Sequence, residues 1–267
     1  MYAIFPNLSN YADVIDKIVE YADLVSPVWE LVRNNAEGNS SSIVTTAGIE
    51  STSNKWVALR TKSSINNSGT EDVKYTYVIL QHDSALQRLI VRTASYVTSG
   101  SSFAATPFAD AVIIDLSALP YTVGVLFTQD SFALQVIDTV GNTRFAAVLA
   151  LSSVLPSGAD RDNCFCVTGN VSDCWVLPTS AYSASLLDLI SPLNSDTINS
   201  QQGSIIMAPL AVSDNILKNK FVGYAKNAFK TSINTIAAFD FITYSADTYR
   251  VFNNSLDGVN FMLIKEN

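Results

Sequence analysis

His82 is the only histidine in the 267 residues, and it stands beside Asp83 and Ser84. Any nucleophilic mechanism that needs an imidazole base must therefore use it. Consecutive residues do not adopt the nucleophile, base and acid geometry, and the sequence has no Gly-x-Ser-x-Gly elbow. The segment predicts a hairpin turn, which makes His82 a solvated turn residue. Cys164, Cys166 and Cys174 form a second cluster. With His82 or Asp173 they could complete a zinc shell, but structural zinc usually uses two Cys-x2–4-Cys knuckles. Cys-x-Cys followed by seven residues departs from that spacing. Buried free thiols are expected, with a Cys166–Cys174 disulfide after release from the cell as the alternative.

Carboxylates give little more. Asp160, Asp162 and Asp173 fall in one loop region, and Asp160-Arg161-Asp162-Asn163 begins like a calcium loop. It lacks the glycine at the sixth position and the glutamate at the twelfth, so a solvated loop is expected. No phosphate loop or dinucleotide fingerprint occurs. The reading assigns no catalytic residue, no metal and no cofactor. A hydrolase with two carboxylates across a cleft stays open at this level.

The elements that would position such groups are mostly strands. Tyr121 to Val154 is the longest apolar run, and it divides into strands at Thr122–Phe127, Phe132–Ile137 and Arg144–Leu151. Gln129-Asp130-Ser131 and Val140-Gly141-Asn142 mark the turns of this antiparallel meander. Phe145, Ala147, Leu149 and Leu151 share one face at period two, while Ala146, Val148 and Ala150 share the other. Both faces are therefore expected to be buried.

Before the strands comes helix. Asn10 is a good N-cap, and Tyr11, Val14, Ile15, Ile18, Val19, Ala22 and Val25 recur at three- and four-residue spacing. Ser26-Pro27 predicts a second short helix reaching about Val32. Strands follow at Trp56–Thr61, Lys74–Gln81, Leu86–Val97 and Val112–Leu116. Residues 156–214 are rich in Ser, Asn, Asp and Gly and read as a loop-rich insertion with short apolar pieces, suited to variable contacts. Phe221–Ala225, Ala237–Tyr244, Thr248–Asn253 and Val259–Ile264 then read as closing strands.

The fold class expected is mainly β (α+β), an antiparallel sheet core forming a sandwich or barrel-like body. Residues 1–42 form a helical arm and linker, 43–155 the β core, 156–214 the insertion and 215–267 the closing strands. Charged residues make up 15% of the chain, and the net charge is −8. An acidic chain without a Lys/Arg cluster is not built to grip nucleic acid. A surface rich in neutral polar residues suits packing against neighbours, because few charges lose water. No apolar run reaches eighteen residues, so no membrane insertion is expected. The N-terminus lacks a secretory pattern, and three cysteines fit a reducing cytosol.

The order of pieces in the C-terminal half resembles the virion structural proteins of tailed bacteriophages. The residues carrying the likeness are Val222-Gly223-Tyr224 and Tyr249-Arg250-Val251-Phe252, a strand and a hairpin ahead of a last apolar strand. The chain departs from that layout at Asn253–Gly258, where an Arg- and Gly-rich segment would be expected. The resemblance implies a neck, tail or baseplate component, present in the virion and assembled in the host cytoplasm. It implies a homo-oligomeric ring in contact with other virion proteins. Contacts are expected from the helix (Ile15, Ile18, Val19, Ala22), from Trp29 and from Phe165, Trp175 and Tyr182. The alternative is a receptor- or glycan-binding module of a tail, with Phe165, Trp175 and Tyr182 stacking on sugar.

Overall fold

The computed structural model describes residues 1–24, 29–34, 56–61, 77–94, 112–129, 131–153, 164–168, 174–176, 184–187, 207–214, 220–231, 237–254 and 260–266. Within them the chain is mainly β, with antiparallel sheets and a helix near the N-terminus.

The first element is a strand, β1 (Tyr2–Leu8), which the sequence reading did not anticipate. It tolerates Pro6 because it lies at a sheet edge, where a missing N–H breaks no ladder bond. Helix α1 (Tyr11–Leu24) starts at the expected cap. The Asp13 N–H donates to Asn10 Oδ1 at 2.9 Å, and the Asp13 carboxylate accepts the Ser9 N–H at 3.0 Å. The first of these bonds satisfies a donor that the first helical turn leaves open, and the second ties the residue before the cap to the helix.

The second helix is not formed. Trp29–Asn34 is strand β2, paired antiparallel with β3 (Trp56–Thr61). Burial of Trp29 and Leu31, together with the ladder to β3, overrides the local helix-start signal of Ser26-Pro27. Strands β4 (Tyr77–Asp83), β5 (Arg88–Ala94) and β6 (Val112–Ile114) complete a five-stranded sheet in the order β2-β3-β4-β5-β6.

The meander follows as β7 (Tyr121–Phe127), β8 (Ser131–Ile137) and β9 (Thr143–Ser153). In the middle region β10 (Cys164–Thr168), β11 (Cys174–Val176), β12 (Ala184–Leu187) and β13 (Ala208–Asp214) are strands. Last come β14 (Lys220–Thr231), β15 (Phe241–Tyr244), β16 (Asp247–Asn254) and β17 (Asn260–Glu266). The main path of this larger sheet is β1-β7-β8-β9-β14-β17-β16-β15. β10 and β11 extend it from β9, and β13 and β12 extend it from β14. The sheets cut across the segments read from the sequence: residues 43–155 supply strands to both.

The meander is the middle layer. Val123, Val125, Phe127, Phe132, Leu134, Val136, Ala146 and Val148 pack on α1 and the five-stranded sheet. Leu126, Ala133, Phe145, Ala147 and Leu149 point the other way, onto Ala225, Ala228, Phe252, Met262 and Ile264 of the closing strands. The period-two alternation thus feeds two cores from one sheet. Long strand β14 serves both parts of the larger sheet. Gly223 to Ala225 pair with β9, whereas Ala228 to Thr231 pair with β17. Asn227 lies between these runs at φ 58°, a left-handed conformation that Asn tolerates better than most residues.

Candidate functional site

His82 is not in the turn. It lies in β4 opposite Leu89, is buried, and its ring centroid is 6.5 Å from that of Tyr11. Strand β4 continues through Asp83, and the turn begins at Ser84. Asp83 accepts backbone N–H bonds from Ala85 and Leu86 at 3.1 and 3.2 Å, and Arg88 Nε donates to it at 3.0 Å. The Leu86 N–H, and beside it Arg88, hold the Asp83 carboxyl below its ordinary pKa. The expectation of a solvated histidine is therefore corrected: β4 runs two residues past the expected end at Gln81, which takes His82 from the turn onto a strand inside the body.

The cysteines fall on two strands. In the β10–β11 ladder Cys166 pairs with Trp175, and Cys174 pairs with Val167, so Cys166 and Cys174 are not register partners. Among the described residues no group of three or more His, Cys, Asp or Glu side chains is placed to hold a metal. Asp160, Asp162, Asp173 and Tyr182 lie outside the described residues. Phe165 pairs with both Leu149 and Val176, and Trp175 pairs with Cys166, so both residues belong to sheet ladders and not to free loops.

The expected contact face of α1 is used internally. Ile15, Ile18, Val19 and Ala22 are buried in the chain's own core, as is Trp29. Trp29 Nε1 donates to the Thr128 carbonyl at 2.7 Å, and its ring packs beside Phe127 and Phe132. A helix with one apolar stripe can cover its own sheet or a neighbour's, and here it covers its own. These five residues are thus withdrawn as subunit contacts.

What the fold presents instead is an end face. Tyr11 and Tyr121 stack with centroids 4.6 Å apart, and both hydroxyls donate to the Leu116 carbonyl, at 3.1 and 2.6 Å. Burial raises the Tyr11 hydroxyl pKa well above its usual value, so the proton stays on. This joint fixes the 115–120 crossover against the start of α1. The Thr139 N–H then donates to the Ala118 carbonyl at 3.1 Å, bringing the β8–β9 turn alongside. Asp138 shapes that turn by accepting the Val140 and Asn142 N–H groups at 3.1 and 2.8 Å, while Gly141 sits at φ 90°. Pairing of Leu89 with Ile114 brings the β4–β5 turn to the same end. Each of these three segments carries an exposed aliphatic side chain: Leu86 (61%), Leu119 (50%) and Val140 (71%). The sequence marks the turns at Asp83-Ser84 and Val140-Gly141-Asn142 but not the 115–120 crossover, and the convergence of the three follows only from strand pairing.

A second exposed feature lies at the edge strand β15, where Phe241 and Tyr244 are 58% and 68% exposed. Behind it the Arg250 guanidinium stacks 4.2 Å from the Tyr2 ring centroid and bonds Glu266 at 2.8 Å. No protein-family model matches the chain. No curated protein matches it. No helix among the described residues is long and apolar enough to cross a membrane.

Proposed function

We propose that this chain is a structural protein of a tailed-phage particle, in its neck, tail or baseplate, assembling with itself into a ring and touching other virion proteins. The observation that carries the reading is the C-terminal layout. Strand β14 with Val222-Gly223-Tyr224, the β15–β16 hairpin with Tyr249-Arg250-Val251-Phe252 and closing strand β17 stand in the order on which the resemblance rests. In this reading the molecule works by shape. The doubly covered meander is a rigid body, and the turns at its end present Leu86, Leu119 and Val140 to a neighbour. A surface with few charges lowers the desolvation cost of such contacts.

The test is sedimentation velocity and electron microscopy of the purified protein. Closed rings are expected, dissolved by Leu119→Glu with Val140→Glu while the circular dichroism spectrum is kept. A protein that stays monomeric at every concentration would overturn the reading. Saturable binding of that monomer to envelope glycans would replace it with the tail receptor-binding alternative.

A further inference from the structure

We propose that β15 pairs with β15 of a second copy, antiparallel about a two-fold axis at Ile242, so that two bodies share one continuous sheet. The contact is separate from the end face and does not rest on the ring.

The hydrogen-bond pattern shows which groups are on offer. The Val251 N–H donates to the Asp240 carbonyl at 3.1 Å, so Asp240 is an inward-bonded position of the hairpin. Antiparallel ladders alternate, which makes Ile242 and Tyr244 inward-bonded as well. The N–H and C=O groups of Phe241 and Thr243 therefore point away from β16, and no described strand lies on that side. Edges are normally guarded. β1 carries Pro6 and a register shift between Phe5 and Leu8, and β2 carries Glu30, Arg33 and its own shift. Phe241-Ile242-Thr243-Tyr244 has no proline, no charge and no shift, and Phe241 and Tyr244 are largely exposed.

The register selects the occupant. A two-fold axis at Ile242 sets Phe241 opposite the second copy's Thr243, and Thr243 opposite its Phe241. These are the residues with outward groups, so four N–H···O=C bonds form and none of those groups is left over. A segment of any sequence could make such bonds, but the side chains favour this one. Ile242 faces Ile242, Phe241 faces Thr243 and Tyr244 faces Asp240, so aromatic and β-branched neighbours meet across the seam. No charge faces its like. Asp247 is already paired with Lys265 at 2.9 Å, and the Asp240 carboxylate accepts the Ala237 N–H at 3.1 Å. The pairing also uses up both edges, so association through β15 stops at two copies.

The test is sedimentation velocity of the Leu119→Glu, Val140→Glu protein, in which the ring contact is already removed. A monomer–dimer equilibrium is expected, and added NaCl should tighten it by screening the −8 charge of each copy. Thr243→Pro deletes one outward N–H per copy and two bonds per dimer. Its dissociation constant should rise about thirtyfold, the scale of two net hydrogen bonds, with the circular dichroism spectrum kept. If that variant does not fold, Tyr244→Lys serves. It sets a lysine opposite the second copy's Asp240 and should tighten the dimer about fivefold at low salt, the scale of two exposed ion pairs. Monomers at every concentration, or a dimer indifferent to these variants, would overturn the proposal. That failure would leave the ring reading standing, because the ring contact is absent from this background. Dimers that respond as described support the proposal whether or not the parent closes rings.

Discussion

Gln135 in β8 donates its Nε2 hydrogen to the backbone carbonyl of Asn253 in β16 at 2.9 Å, joining the middle layer to the closing strands. Gln135 is fully buried among Ala, Leu and Phe side chains, where a carbonyl without a donor is costly. Gln135→Met keeps the length and deletes the donor, and should lower unfolding free energy by about 1–2 kcal/mol. Gln135→Ala adds a cavity and should cost about 3 kcal/mol. Urea denaturation of both variants measures the difference, and equal losses would mean that the lost hydrogen bond alone matters there.

Gly124 faces the same interface. A Cβ at this position would stand 2.4 Å from Tyr2 Oη and 2.6 Å from Phe239 Cδ1. Gly124→Ala should therefore destabilise by about 1–3 kcal/mol through forced displacement of β1 or of Phe239. Adding Tyr2→Phe removes the hydroxyl and should recover part of the loss. Thermal melts of the single and double variants separate the two clashes, and a double variant no better than Gly124→Ala would place the whole cost on Phe239.

Tyr11 and Tyr121 share one acceptor, the Leu116 carbonyl. Either Tyr→Phe change alone leaves that carbonyl bonded, so each should cost only about 0.5–1 kcal/mol. Together they leave it bare in a buried site, and the double variant should exceed the sum by about 1 kcal/mol. A denaturation cycle over the four proteins reads this coupling directly, and strict additivity would contradict the shared role.

The pH dependence of the β4–β5 turn has a defined sign. The Asp83 pKa is depressed in the folded chain, first by the Leu86 N–H and then by Arg88. Its contribution is therefore present above the ordinary carboxyl value of 3.8 and disappears as pH falls through the folded value. Asp83→Asn should lower the melting temperature at neutral pH, with the gap from the parent closing in acid. A gap that stays constant down to the acid end would show that the carboxylate charge is not what holds the turn.

Local pattern alone settled much of the architecture. Alternation in Phe132–Ile137 and Arg144–Leu151 gave strands with two buried faces, because side chains on a strand alternate whatever lies beside it. Asn10 and Gly141 marked a cap and a turn through bonds and φ values confined to a few neighbours. Tertiary structure decided where those faces went. The stripe of α1 could serve its own sheet or a neighbour's, and Trp29 could begin a helix or a strand. Trp29 bonds Thr128 across 99 positions of sequence and Tyr11 bonds Leu116 across 105, separations that no local window spans. His82 went from turn to interior because pairing with β5 carries β4 on to Asp83, two residues beyond the end that the local turn signal marked. The end face of Leu86, Leu119 and Val140 is likewise tertiary: the turns beside Leu86 and Val140 were written locally, the 115–120 crossover was not, and only long-range pairing brought the three together.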